Sequence, residues 1–166
     1  MPPILVAHRG NVDGPNPDLE NSPLYITEAL RRGFHVQVDV WLIPNGMLYL
    51  GHEKAIYPTT VEFLRQSPRI ICNAKTPSTL WRLLQDNIHC FSHDQDDCTL
   101  TSRGWIWTYH GKELTEESVS VMPEWIHRDP DKWNTNCMAI CSDWVGRFTD
   151  QATEAPNRAG SGPPSA

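Results

Sequence analysis

Positive charge is scarce in this chain. It has 14 Lys and Arg against 20 Asp and Glu, for a formal net charge of −6 and a pI near 5.6. That balance leaves no electrostatic footprint for nucleic acid or for an anionic membrane surface. Long apolar runs are also missing. The longest are strand-sized, too short to insert across a bilayer as a helix. The opening MPPILVAHRG has no basic segment and turns polar too early for a secretory leader. The five cysteines (Cys72, Cys90, Cys98, Cys137, Cys141) form no CxxC pair and are odd in number. They read as reduced thiols, mostly buried, in a cytoplasmic protein. No internal repeat is present. Beyond Asp150 no large apolar residue occurs, so residues 150–166 are expected to be a disordered tail. Residues 1–149 of the 166 are then expected to form one domain with a single sizeable core.

The chain does have one strongly patterned stretch, Val36 to Glu53. Val36, Val38, Val40 and Leu42 alternate with Gln37, Asp39, Trp41 and Ile43, the period-two signature of a strand with two unlike faces. Asn45-Gly46 predicts a type I′ hairpin turn, and Met47 to Leu50 predicts the returning strand that delivers His52 and Glu53. Upstream, Ile4 to Ala7 reads as a buried strand opening at His8-Arg9-Gly10 into a loop rich in Asn, Asp, Gly and Pro. Ser22-Pro23 is an N-cap with proline at the first helical position. It predicts a helix over residues 23–32 that ends at Gly33. Strand, loop, helix and strand make one βαβ unit.

The pattern recurs downstream. Thr59 or Thr60 can cap a short helix reaching Gln66, and Arg69 to Lys75 reads as a strand. Thr76 or Ser78 can start a helix carrying Leu80, Leu83 and Leu84. Further strands are predicted at His89 to His93, Trp105 to Tyr109, Ser118 to Met122 and Cys137 to Cys141. Strands alternating with helices argue for a parallel α/β sheet, although helical segments are nearly absent after residue 90.

Polar residues gather where these strands end: His8 and Arg9, Asp39, Asn73 and Lys75, His93 to Asp97, Tyr109-His110, Glu124, and Asp143. In parallel α/β architectures this edge builds sites, because the loops there converge. Taken singly, each residue reads as surface or packing; their coincidence along one edge is the signal.

His8-Arg9-Gly10, Glu20-Asn21-Ser22, Gln37-Val38-Asp39-Val40 and Gly51-His52-Glu53 stand in an order and spacing that resembles the glycerophosphodiester phosphodiesterase superfamily. The likeness covers residues 4–53 and is looser beyond. The resemblance implies a TIM-type (β/α) barrel, here compact with reduced helices in its second half, since such barrels usually need about 250 residues. It also implies metal-assisted cleavage of a small, glycerophosphodiester-like substrate, with His8 and His52 as general acid and base and Arg9 and Lys75 on the phosphate. By the same resemblance Glu20, Asp39, Gln37 and Asn73 fall at the ligand positions of a divalent cation, Mg²⁺ or Ca²⁺. Gln37 and Asn73 are amides where the family has carboxylates, so two negative charges are absent unless Asp94, Asp96, Asp97, Glu124 or Asp143 contributes. Three functions stay open: hydrolysis of the diester, binding of a phosphate ester without turnover, and release of a cyclic phosphate. No membrane insertion is expected, and the oligomeric state is open.

Overall fold

The computed structural model describes residues 1–151. The expected tail lies, from residue 152 onward, outside them. The first βαβ unit forms as its caps dictate. β1 (Ile4–His8) leads through the loop to α1 (Pro23–Arg31), where the Ser22 side chain accepts from the Tyr25 N–H. Ile26, Ala29 and Leu30 are the buried stripe of α1, at the i, i+3, i+4 spacing of one helix face. β2 (His35–Leu42) then runs parallel to β1.

A loop and two antiparallel strands follow, β3 (Leu48–Leu50) and β4 (Tyr57–Thr59). The turn between β2 and β3 differs from the type I′ expected at Asn45-Gly46. Gly46 N–H donates to the Ile43 carbonyl, and only Gly46 of the two has positive φ. Pro44 explains the shift: its φ is locked negative, so it takes the first central position of a type I turn and leaves Gly46 to make the left-handed exit.

α2 (Val61–Arg65, capped by Thr60), β5 (Ile70–Ala74), α3 (Pro77–Gln85, capped by Thr76) and β6 (Cys90–Phe91) continue the right-hand side of the sheet. Thereafter the crossovers lose their helices. β7 (Cys98–Leu100) is antiparallel to β8 (Ile106–Thr108), and β9 (Ser118–Val121) reaches β10 (Ala139–Ser142) through two 3₁₀ turns, Pro123–Trp125 and Pro130–Lys132. α4 (Arg147–Gln151) closes the described chain.

The expected TIM-type barrel is not what forms. The ten strands make one mixed sheet. Its parallel part runs β6-β5-β2-β1-β10-β9-β8, and β3, β4 and β7 are antiparallel additions. Among the described residues no ladder joins β6 to β8, so the sheet is open. The four helices do not alternate with the strands. The cause lies in the second half: the connections before β9 are short and polar, with Gly104 and Gly111 in them, and the longer β9–β10 connection, broken by Pro123 and Pro130, forms only two 3₁₀ turns. The sheet nevertheless curves far enough that Phe91 of β6 stacks on Trp107 of β8, with ring centroids 4.5 Å apart.

Each face has its own core. Val36, Val38 and Val40 of β2 pack with Ile26, Leu30 and Leu83 on the helical side; full burial of such side chains contributes about 1.5–3 kcal/mol each. On the concave side Val6, Ile71, Phe91, Trp107, Val119 and Cys141 form a second cluster, which floors the site. All five cysteines are free, and only Cys98 is exposed. No helix among the described residues is long and apolar enough to cross a membrane.

Candidate active site

The alternation of β2 puts Gln37 and Asp39 on the concave face, opposite its valines. Register then adds neighbours: His8 of β1 lies beside Gln37, and Asn73 of β5 beside Asp39. β5 occupies one edge of β2 as far as Val40. β3, which pairs with Val40 through Leu42, therefore takes the edge that β1 leaves at His8. That handover carries Gly51 and His52 back over the end of β1. Gly51 has φ +150°, and a Cβ there would collide with the Lys54 carbonyl oxygen, so only glycine fits the bend.

Together these strands enclose a cavity of about 500 Å³. One wall is polar, with His8, Arg9, His52 and Lys75 around Asp39. The opposite wall is aromatic: Tyr109 stacks on His93 at 3.8 Å between centroids, and Trp125 meets His110 edge-on at the rim. Phe91 and Trp107 lie beneath.

Asp39 is the hub of the polar wall. It is buried, and every contact to its carboxylate comes from a donor. Gln37 Nε2 and Asn73 Nδ2 donate to Oδ1 at 3.1 and 3.0 Å. Asn21 Nδ2 donates to Oδ2 at 3.0 Å, while Asn21 Oδ1 accepts the Asp39 backbone N–H. His52 Nδ1 lies 3.2 Å from Oδ2, and Arg9 Nε forms an ion pair with the same oxygen at 3.2 Å. Burial alone would raise the Asp39 carboxyl. The His52 hydrogen bond, the Arg9 charge and Asn21 outweigh it and hold the group well below the usual carboxylate range.

The two histidines are placed differently. His8 Nδ1 is 2.8 Å from Asp143 Oδ1. A carboxylate only accepts, so this bond fixes the Nδ1–H tautomer and leaves Nε2 as the ring's open nitrogen. Asp143 is itself positioned: Asn11 donates to its Oδ1, and Glu124 Oε1 accepts its backbone N–H and the Ser142 hydroxyl. Burial raises the Glu124 carboxyl. His52 has both ring nitrogens engaged, since Nε2 lies 3.0 Å from Arg9 Nη2 and a guanidinium can only donate. Arg9 also donates to Glu20 at 3.1 Å, and Asn11 donates to the other Glu20 oxygen. Arg9 holds these contacts from a left-handed backbone, φ +54°, a strained conformation of the kind that functional loops store. The Lys75 ammonium makes no hydrogen bond among the described residues.

The residues expected to hold a divalent cation are thus differently employed. Asp39 and Asn73 meet directly, as do Asp39 and Gln37, but Glu20 belongs to Arg9 and Asn11. A hard cation needs converging anionic oxygens. Here amide, guanidinium and imidazole donors converge on one carboxylate, a set that braces an anion and does not fit Mg²⁺ or Ca²⁺. No group of three or more His, Cys, Asp or Glu among the described residues is disposed to hold a metal. Of the acidic residues that could have supplemented the set, Asp94 lines the cavity, Asp97 pairs with Lys112, and Asp143 and Glu124 serve His8.

Asn11 was not singled out from the sequence, and Asn21 stood there only within the motif Glu20-Asn21-Ser22, without a role. Both are fully buried, and the available sign was their place in polar loops flanking His8-Arg9-Gly10 and Ser22. No protein-family model matches this chain, and no curated protein does.

Proposed function

We propose that the chain cleaves a small phosphodiester, in the cavity between the Asp39 wall and the aromatic wall. The observation that carries this reading is the His8–Asp143 pair at 2.8 Å, set on the wall of a cavity that also holds Arg9 and Lys75. A diester anion needs its charge met before a nucleophile can approach, and Arg9 and Lys75 supply two cationic groups. An alkoxide leaving group needs a proton, which His8 Nε2 can give once the imidazole is protonated, with Asp143 stabilising the imidazolium. His52 enters when Arg9 turns its Nη2 onto phosphate: that frees His52 Nε2 to take the proton of the attacking water, or of the ester's own neighbouring hydroxyl. The new P–O bond forms as the P–O bond to the leaving alkoxide breaks, and Asp39 keeps the ring oriented through Nδ1. The donor set gives no reason to route the step through a cation.

The resemblance over residues 4–53 supports a glycerophosphodiester-like substrate, hydrolysed or released as a cyclic phosphate. The free cysteines support a reducing compartment such as the cytoplasm. Assays with a glycerophosphodiester and an aryl phosphodiester, each with chelator and with Mg²⁺ or Ca²⁺, should detect turnover. His8→Ala should lower kcat by about 10²–10⁴, and Asp143→Asn should lower it as well. Full activity in His8→Ala would overturn the assignment. Phosphorus NMR of the product separates a cyclic ester from a monoester. A second reading, binding without turnover, is favoured by the two amides on Asp39; calorimetric binding of diesters with no product under any condition would establish it.

A further inference from the structure

Trp125 is the least explained side chain of the cavity. It lines the rim and is 63% exposed. Exposure alone is ordinary for an apolar residue, but the backbone beneath this one is held firmly. Met122, just before the turn, is left-handed with φ +50°, which is uncommon for a residue with a side chain and recurs at ligand clamps. The Trp125 N–H donates to the Met122 carbonyl, and the Ile126 N–H to that of Pro123, each at 3.0 Å. Between them, Glu124 is tied down by the Ser142 hydroxyl and the Asp143 N–H. The indole meets His110 edge to face, with ring centroids 4.8 Å apart. That contact occupies at most one indole face and leaves the other open. A fixed position and an open face suit a stacking platform, because a rigid aromatic side chain loses little entropy when it takes a partner.

We infer that Trp125 stacks against a planar aromatic ring of the ligand, so that the alcohol on one arm of the phosphate ester carries such a ring. This rests on the reading of Arg9 and Lys75 as the phosphate end. Two other classes of alcohol fit the cavity less well. A cationic one would share it with Arg9 and Lys75. Among the described residues, Asp94 is the only carboxylate of the lining besides Asp39, and Asp39 is already surrounded by donors. A long alkyl chain needs depth, and the floor is closed by Phe91 and Trp107, each 2% exposed. A flat ring needs only the open indole face, and stacking of this kind accepts any π system.

The test is a binding measurement, so that it does not depend on turnover. The full chain is titrated calorimetrically, in chelator and at about pH 8, where phosphate monoesters are dianions. Phenyl phosphate is compared with cyclohexyl phosphate, which shares the phosphate and a ring of similar size but has no π face. Apolar contact alone favours cyclohexyl phosphate, whose ring has the larger apolar surface. Stacking reverses the order, and phenyl phosphate should bind at least about threefold more tightly. Adenosine 5′-phosphate against ribose 5-phosphate makes the same comparison for a ring held one sugar away, with an expected gap of about tenfold. An aromatic advantage in either pair supports the inference. No advantage in both pairs overturns it while leaving the phosphate end intact. If none of the phosphate esters binds, the phosphate reading falls and takes the inference with it. Trp125→Leu, at an exposed position, should remove the advantage by weakening the aromatic ligand alone, with the unfolding temperature unchanged. An advantage that survives Trp125→Leu, or equal weakening of both ligands of a pair, would overturn the assignment to Trp125. Trp125→Phe should keep most of the advantage, since a smaller ring still stacks.

Discussion

Single residues here are governed by what their neighbours can donate. Asp39 lies at the centre of five donors from four segments, and its ionised state dictates which way Gln37 and Asn73 face. None of this orientation could be read from the sequence, which shows two amides but not the carboxylate they must turn toward. The His8–Asp143 contact was equally hidden, because 135 positions separate the two residues. Histidines away from the site carry a different consequence. His89 is 3% exposed and hydrogen-bonds Thr101 at 2.9 Å. Burial, then the charge of Arg103, pulls its pKa from 6.5 down to about 4, and burial lowers His35 as well. A group whose folded pKa is lowered binds its proton more readily when unfolded. Stability should therefore be full above pH 6.5, fall as the pH drops toward 4, and level off for this group below that. Urea titrations across this window should show the slope, and His89→Asn should flatten it. An unchanged slope in His89→Asn would remove His89 as its source.

At the scale of elements, what the sequence made legible was periodicity and capping. The alternation of β2 fixed which face bears Gln37 and Asp39, because a strand has only two faces. Ser22 marked the start of its helix, and of the alternatives Thr59 or Thr60 and Thr76 or Ser78 the structure uses Thr60 and Thr76. Short or interrupted elements were not legible: β4 contains Pro58, which an edge strand tolerates, and β7 is three residues long. The hairpin's purpose is geometric, since it returns His52 to Asp39. Gly51 is its critical point. Gly51→Ala should cost about 2–4 kcal/mol through the collision with Lys54 and the unfavourable φ. It should also reduce phosphate-ester binding by displacing His52. Thermal unfolding checks the first effect and calorimetry the second; a variant as stable as the parent would show that the loop relaxes freely.

At the scale of the whole molecule, the alternation of strands and helices argued for a parallel α/β sheet, and the family resemblance implied its closure into a barrel. The structure instead leaves the sheet open between β6 and β8. Closure depends on the register and length of every crossover, and in the second half short polar connections and the prolines before β10 leave no helical crossover. Side chains substitute for the missing ladder. Phe91 and Trp107 meet across the gap, and Trp107 is 2% exposed. Trp107→Ala should therefore cost about 3–5 kcal/mol in urea denaturation. A loss under about 1 kcal/mol, below the range for emptying a packed aromatic site, would show that the two margins hold together by other means.

That ring-to-ring seam also sets the gauge of the cavity. In a sheet closed by backbone hydrogen bonds, the bore is fixed by strand number and cannot change without re-threading every ladder. Here the floor of the chamber depends on the bulk of two packed side chains, so a change of size at Phe91 or Trp107 alters at once the room above them and the hold between the β6 and β8 margins.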